Sequence, residues 1–264
     1  MPYKKKKYNT MQVEVENDIA LVRFHRPDAM NAANIEMSHE RLEIFRAVAQ
    51  DDAVKVVIIT GSETAYCAGG DLEAFSKFNV AEAQDFWRRG LEYQKILSDM
   101  PKPTIAAIAG YAFGGGLENV LMCDLRIAAE NAKFGLPEIN VGIFPGGGGT
   151  QRLPQNVPIA LAKEMIFFGK TLDAQEALKA GLINKIVPLE TLQNEAMDWA
   201  KKLTRKPALA LKAAKAAINA SYSTDVHTGL SFEGMAWTAL FGTKDQKEGM
   251  TAFLEKRKPQ FKGE

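Results

Sequence analysis

Two glycine-rich loops and two glutamates carry the residue types that could act together on one polar group. Cys67-Ala68-Gly69-Gly70-Asp71-Leu72 and Gly114-Gly115-Gly116 can present backbone N–H groups with no Cβ in the way, and Gly70 and Gly115 are the candidate donors. The second loop lies where a helix begins, so free N–H groups and the positive end of the helix point outward together. An oxygen gaining negative charge between two such loops, as in an enolate or a thioester oxyanion, would be held by fixed dipoles. Glu118 falls in the first turn of that helix, and Glu138 follows Phe134-Gly135-Leu136-Pro137. Two carboxylates in unlike surroundings can divide acid and base work. Each feature also has an ordinary structural role. Glycines permit tight turns, a carboxylate suits a helix start, and a loop acid suits solvent. Residue physics alone leaves both roles open.

The remaining motifs narrow the chemistry by what they lack. Pro145-Gly146-Gly147-Gly148-Gly149-Thr150-Gln151-Arg152 is a close backbone approach or a flexible turn, and we read it as structural, lining the site at most. No Gly-Lys-Ser/Thr phosphate loop, dinucleotide fingerprint or Gly-x-Ser-x-Gly elbow occurs. His25, His39 and His227 are scattered, without metal-ligand spacing. Phe75, Phe78, Phe86 and Trp87 read first as core or interface packing and second as pocket lining. Glu255-Lys256-Arg257-Lys258 is a solvated helix end or a phosphate contact.

The elements that must position these residues follow from hydrophobic periodicity. Met11–Glu16 and Ile19–Phe24 read as a hairpin across Asn17-Asp18, followed by a helix over Ile35–Ala49. The β-branched run Val54–Thr60 reads as a strand buried on both faces and leads into the loop Ala65–Leu72. A helix over Val80–Met100 stops at Pro101 and Pro103. Then come a strand over Thr104–Ala109, a glycine-rich turn over Gly110–Gly116, a helix over Leu117–Cys123 and a strand over Leu125–Ala129. Strands alternating with helices predict an α/β architecture. From Leu189 onward only helices are legible, over Leu189–Leu203, Ala208–Ala220 and Val226–Leu240. Phe232, Met235, Trp237, Leu240 and Phe241 give that end more apolar surface than short helices need, so it should pack on the body or on another subunit.

Composition sets the outer limits. A chain of 264 residues can bury a sizeable core without disulfides. With 33 basic and 32 acidic residues it has no global field to hold nucleic acid or a membrane. Two cysteines, Cys67 and Cys123, make no disulfide framework and suit a reducing compartment. No apolar run reaches membrane-spanning length, and the lysine-rich start lacks the apolar core of a secretory signal. Together these predict a soluble cytoplasmic protein.

The motifs in order, Cys67–Leu72, Ala109–Glu118, and Phe134–Glu138 with Pro145–Leu153, resemble the enoyl-CoA hydratase (crotonase) family. The resemblance runs from about Val13 to Lys262 and includes the closing segment Glu248–Arg257. It implies a crotonase-like spiral of ββα units over 1–195, holding the acyl-CoA site, and a C-terminal helical trimerisation region over 196–264. The assembly would be a homotrimer or a hexamer built as a dimer of trimers. By the same resemblance, the N–H groups of Gly70 and Gly115 form the oxyanion hole for the thioester oxygen. Glu118 acts as base toward a water and Glu138 supplies a proton to C2. Substrate contacts fall on Ala29, Ala68, Gly70, Asp71, Leu72, Gly115 and Lys256, with Lys256 reaching a CoA phosphate across a subunit boundary. No metal or redox cofactor is implied, since coenzyme A is part of the substrate, and neither nucleic acid nor membrane is a partner.

The implied activity is reversible hydration of a short-to-medium trans-2-enoyl-CoA to the 3-hydroxyacyl-CoA. Retention of both glutamates favours it over the nearest alternatives on the same scaffold, an enoyl-CoA isomerase or a specialised 3-hydroxyacyl-CoA dehydratase. A non-catalytic acyl-CoA binder and an RNA binder are the readings from other classes. Four positions depart from the family pattern. Asp28 replaces a common lysine, Leu117 a frequent cysteine, and Asn119-Val120 the usual Leu-Ala. Asn119 either bonds within its helix or tunes the site.

Overall fold

The computed structural model describes residues 2–264. Met11–Glu16 (β1) and Ile19–Phe24 (β2) pair antiparallel, turning through Asn17 and Asp18 at φ +51° and +65°. Asn and Asp are the side chains best tolerated in that left-handed region. There follow Ile35–Gln50 (α1), Val56–Thr60 (β3), Ala65–Cys67 (β4), Leu72–Phe75 (α2), Val80–Ser98 (α3), Thr104–Ile108 (β5), Tyr111–Phe113 (β6) and Gly115–Met122 (α4). Leu125–Ala129 (β7), Lys133–Gly135 (β8), a 3₁₀ turn at Pro137–Val141, Gly149–Asn156 (α5), Ile159–Phe167 (α6), Thr171–Asp173 (β9), Ala174–Lys179 (α7) and Lys185–Val187 (β10) continue the body. Leu192–Thr204 (α8), Ala208–Ala220 (α9), Val226–Leu240 (α10) and Lys244–Leu254 (α11) end it.

Strands come in pairs, and each pair feeds two sheets. β3, β5 and β7 enter the six-stranded sheet, ordered β1-β2-β3-β5-β7-β10. Their successors β4, β6 and β8 enter a four-stranded sheet, ordered β4-β6-β8-β9. Helices follow each pair, which is the spiral of ββα units expected from the resemblance. The large sheet is covered on both sides. Val56, Ile58, Ile105, Ala107, Ile127 and Ala129 pack under Leu192, Ala196 and Ala200 of α8. Alternate residues Val57, Ile59, Ala106, Ile108 and Ala128 face the interior of the spiral with Phe45 and Val48 of α1. Burial on two faces is why these strands read as unbroken apolar runs.

The short strands alter the sequence reading. β4 occupies the start of the stretch read as loop Ala65–Leu72, and β6 lies within the supposed turn Gly110–Gly116. The helix carrying Glu118 begins at Gly115 instead of Leu117. Three residues are too few for alternation to register, so pairing reveals these strands where periodicity does not. Position 196 falls inside α8, which is packed on the large sheet, whereas α9 and α10 beyond it bury no side chain fully.

Candidate active site

β4, β6 and β8 are adjacent and parallel, so their carboxyl ends open side by side. In open parallel sheets that edge is where ligands meet loops. The register pairs Cys67 with Ala112 and Phe113 with Gly135, and the Gly114 N–H donates to the Gly135 carbonyl at 2.9 Å. Three chain segments therefore leave the sheet together: Ala68–Asp71, Gly114–Gly116 and Leu136–Glu138. A methyl placed on Gly69 would lie 3.6 Å from the Gly115 nitrogen, and one on Gly114 would lie 3.2 Å from Glu138 Oε1. Gly114 takes φ +51° with ψ −125°, a conformation that side chains rarely adopt, and this sharp step turns β6 into α4. Among the described residues, neither the Gly70 nor the Gly115 N–H donates a hydrogen bond within the chain. Both sit at the place where the two loops meet.

Glu118, only 5% exposed, projects from the first turn of α4. Its Oε1 accepts from the Gly147 and Gly149 N–H groups at 2.7 and 2.9 Å. Burial raises its carboxyl above the ordinary range, while those two N–H groups and the Arg152 and Arg41 guanidinium groups oppose the rise. Glu138 is the other kind of acid. Its Oε2 is buried and has no hydrogen-bond partner among the described residues. Burial first, and the Glu118 charge as well, push the carboxyl up to about 7. The pair is thus unlike, one carboxyl held in place by two N–H donors and one without a partner that can carry a proton at neutral pH, the kind of division that general acid–base chemistry uses.

The glycine run has a larger part than its sequence suggested. Gly147 and Gly149 hold the Glu118 carboxylate, and a methyl on Gly147 would collide with Glu118 Oε2. A run of four glycines was the available signal of close backbone approach. Asn119 does not bond within its helix. It accepts from the Tyr66 hydroxyl on β4 and donates to the Tyr93 hydroxyl on α3. Arg41, which biases Glu118, carried no sequence signal, whereas Arg152 closes the glycine run that the sequence offered as structural.

The other candidates divide. Ala68 and Ala29 are joined to the site, because the turn at Pro27–Ala29 is stitched to the first glycine loop: Ala68 N–H donates to the Met30 carbonyl, and Ala33 N–H to Gly69. Asp71 is engaged inside that assembly, capping α2 through the Ala74 N–H and pairing with Arg26 at 3.0 Å. Leu72 is exposed at the start of α2, and Asp28 is exposed in the turn. Lys256 is exposed after α11, and among the described residues no hydrogen bond or ion pair joins its side chain to another group. Phe75, Phe78 and Phe86 stack with ring separations of 5.0–5.8 Å, and the Phe75 ring occupies the space a Gly70 side chain would need. Trp87 instead borders a cleft of about 1180 Å³ between α3, α9 and the start of α5. Burial raises the Cys67 thiol and pushes Cys123 up to about 12, so neither is a thiolate nucleophile at neutral pH. Among the described residues, no group of three His, Cys, Asp or Glu side chains could hold a metal ion, and no helix is long and apolar enough to cross a membrane.

Comparison with known proteins places nearly the whole chain in a family. The sequence model of the enoyl-CoA hydratase/isomerase family matches residues 14–264. The chain belongs to this family. The crotonyl-CoA hydratase of Syntrophomonas wolfei is 43% identical over 255 residues, covering 96% of this chain and 98% of that protein. The short-chain-enoyl-CoA hydratase of Clostridium acetobutylicum is 41% identical, covering 95% and 96%. The crystal structure of an enoyl-CoA hydratase from Bacillus anthracis superposes with a TM-score of 0.93 at 37% identity, covering 97% of this chain and all of that one. The enoyl-CoA hydratase fold is therefore present over nearly the whole chain, the C-terminal helices included.

Proposed function

We propose that the protein is a 2-enoyl-CoA hydratase, adding water reversibly across the C2=C3 bond of a trans-2-enoyl-CoA to give the 3-hydroxyacyl-CoA. The observation that carries this is the unlike carboxyl pair, Glu118 pinned by two N–H groups and Glu138 pushed up to about 7, beside two N–H groups with no internal partner. The thioester oxygen accepts from Gly70 and Gly115. Charge moving onto that oxygen makes C3 electrophilic, and each donor contributes roughly 10²–10³ in rate. Glu118 takes a proton from water as its oxygen bonds to C3. The electron pair of the double bond returns to C2 and takes the Glu138 proton, and the pair resets by exchanging one proton. Positioned acid–base groups add roughly 10²–10⁴. No metal or redox group enters these steps, and coenzyme A arrives as part of the substrate.

The relatives named for crotonyl-CoA and short-chain enoyl-CoA support a short acyl group. The exposed apolar residues of α9 and α10 support a trimer or a dimer of trimers, in which Lys256 meets the CoA phosphates of a neighbouring subunit. Two free, buried cysteines are consistent with a reducing cytoplasm. Mixing with crotonyl-CoA should abolish the absorbance of the conjugated thioester and yield 3-hydroxybutyryl-CoA. A panel of 2-enoyl-CoA esters left unchanged by the folded protein would overturn the reading. Glu118→Gln and Glu138→Gln should each lower kcat at least 10²-fold with unchanged circular dichroism.

A further inference from the structure

α4 and α5, eight residues each, are joined at both ends. At the start, the Gly149 N–H, the first of α5, donates to Oε1 of Glu118 in the first turn of α4. At the far end the link is Arg126, a half-buried residue of β7 that the proposed reaction does not use. Its guanidinium engages all three nitrogens. Nε donates to the Val120 carbonyl at 3.0 Å, and Nη2 to the Leu121 and Cys123 carbonyls at 3.4 and 3.3 Å. Nη1 donates to Asn156 Oδ1, on the last residue of α5, at 2.6 Å, and to the Leu182 carbonyl at 3.1 Å. The Asn156 amide donates in turn to the Arg152 carbonyl at 2.8 Å, which fixes its Oδ1 towards Arg126.

The carbonyls of a helix's last turn have no partner inside the helix. Only Cys123 and Asp124 separate α4 from β7, and no glycine closes the helix. A planar fork of N–H donors satisfies those carbonyls instead, and its charge complements the negative end of the helix. α4 and α5 pack side by side, start by start and end by end, so both send their positive ends to the site, α4 through Gly115 and α5 through Gly149. Apolar packing is non-directional and sets no register along the axis. Hydrogen bonds at both ends do. The two ties stand about 12 Å apart, the length of an eight-residue helix.

We propose that Arg126 is a positioning residue of the hydration reaction: it clamps the last turn of α4 to Asn156 of α5 and thereby keeps the Gly149 N–H on the Glu118 carboxylate. This rests on the reading of Glu118 as the base. Its consequence has a definite sign. An N–H donor favours the charged form of the carboxyl it serves. Letting α5 slip therefore favours the neutral acid, and the acidic limb of the pH–rate profile moves to higher pH. The other groups around Glu118 are the Gly147 N–H, Arg152 from α5, Arg41 from α1 and Glu138 from the turn after β8. The Arg152 guanidinium is held apart from the clamp, donating to Gln94 Oε1 at 2.9 Å and to Ser98 Oγ at 3.2 Å.

The experiment compares kcat and kcat/KM for crotonyl-CoA from pH 5 to pH 9 in wild type, Arg126→Met, Asn156→Ala and Asn156→Asp. Arg126→Met removes the whole clamp and strands the carbonyls it caps. Asn156→Ala cuts only the tie to α5 and keeps the cap on α4, so it decides the matter if Arg126→Met does not fold. Asn156→Ala should lower kcat about tenfold and displace the acidic limb upward by about half a pH unit or more. Asn156→Asp keeps an oxygen for Arg126 and should hold both near the wild-type values. A limb unmoved in Asn156→Ala, or moved equally in Asn156→Asp, would overturn the role of the clamp, as would a lowered melting temperature with no other change. Glycine-selective isotope labelling for NMR gives a readout independent of turnover. In wild type the Gly149 amide proton should titrate with the carboxyl that is lost in Glu118→Gln, and in Asn156→Ala that response should weaken. An equal response in the two proteins would also overturn the proposal. A wild type that hydrates no 2-enoyl-CoA would count instead against the assigned function, and the Gly149 signal would still decide on Arg126.

Discussion

Gly147 has no side chain because Glu118 already fills the space beside it. Replacing it with alanine drives a methyl into the carboxylate oxygen, and either the loop or the acid must shift. Misplacing a reacting group by about 1 Å costs on the order of 10² in rate. Gly147→Ala should therefore lower kcat about 10²-fold while KM changes little, and wild-type kcat in steady-state assays would remove the loop from the site. Glu138 makes a separate prediction. A proton donor works only while protonated, and this carboxyl is pushed up to about 7 by burial and by Glu118. Since kcat/KM reports groups of the free enzyme, it should decline above about pH 7, by about tenfold per pH unit at the far side. Glu138→Gln should lose that alkaline limb along with most of its rate. A flat profile through pH 9 would assign the proton to another group.

Elements decide whether such residues meet. The glycine loops, Glu118 and Glu138 were legible in the sequence because each motif is contiguous, and their convergence follows from β4, β6 and β8 lying parallel and adjacent. Those strands were not legible, since three residues show no period. Arg41 and the tyrosines around Asn119 were invisible for another reason: they come from three different elements, and only tertiary packing makes them neighbours of one another and of Asn119. Asn119 shows what such packing demands. It satisfies two buried hydroxyls, so a leucine there strands both. A buried polar group left unpaired costs about 1–3 kcal/mol, whereas removing both partners is nearly neutral. Asn119→Leu should lower unfolding stability in urea by about 2 kcal/mol or more. Adding Tyr66→Phe and Tyr93→Phe should recover most of the loss, and additive losses across the three substitutions would show that the hydroxyls do not depend on Asn119.

At the scale of the whole molecule, the C-terminal helices have a surface suited to contact. Val226, Leu230 and Trp237 of α10 and Phe241 just after it form one stripe, exposed by 43–73%, and Trp237 stacks edge-on against Phe241 at 4.6 Å. Ile218 and Tyr222 at the end of α9 extend the apolar surface. A stripe of this kind on a helix with no fully buried residue is unstable in water unless another surface covers it. Closed symmetry would let identical copies cover one another's stripes. Trp237→Glu places a charge at its centre, which should turn the proposed trimer or hexamer into monomer in sedimentation velocity. The same proposal bears on the active site, because among the described residues the Lys256 side chain has no link to the loops of its own chain. If it serves a neighbour, Lys256→Ala should raise KM for crotonyl-CoA severalfold with kcat unchanged. A pantetheine thioester, which lacks the nucleotide phosphates, should not register the change. Assembly and substrate affinity should then fall together in Trp237→Glu, whereas a stable monomer with wild-type KM would show that each chain binds coenzyme A alone.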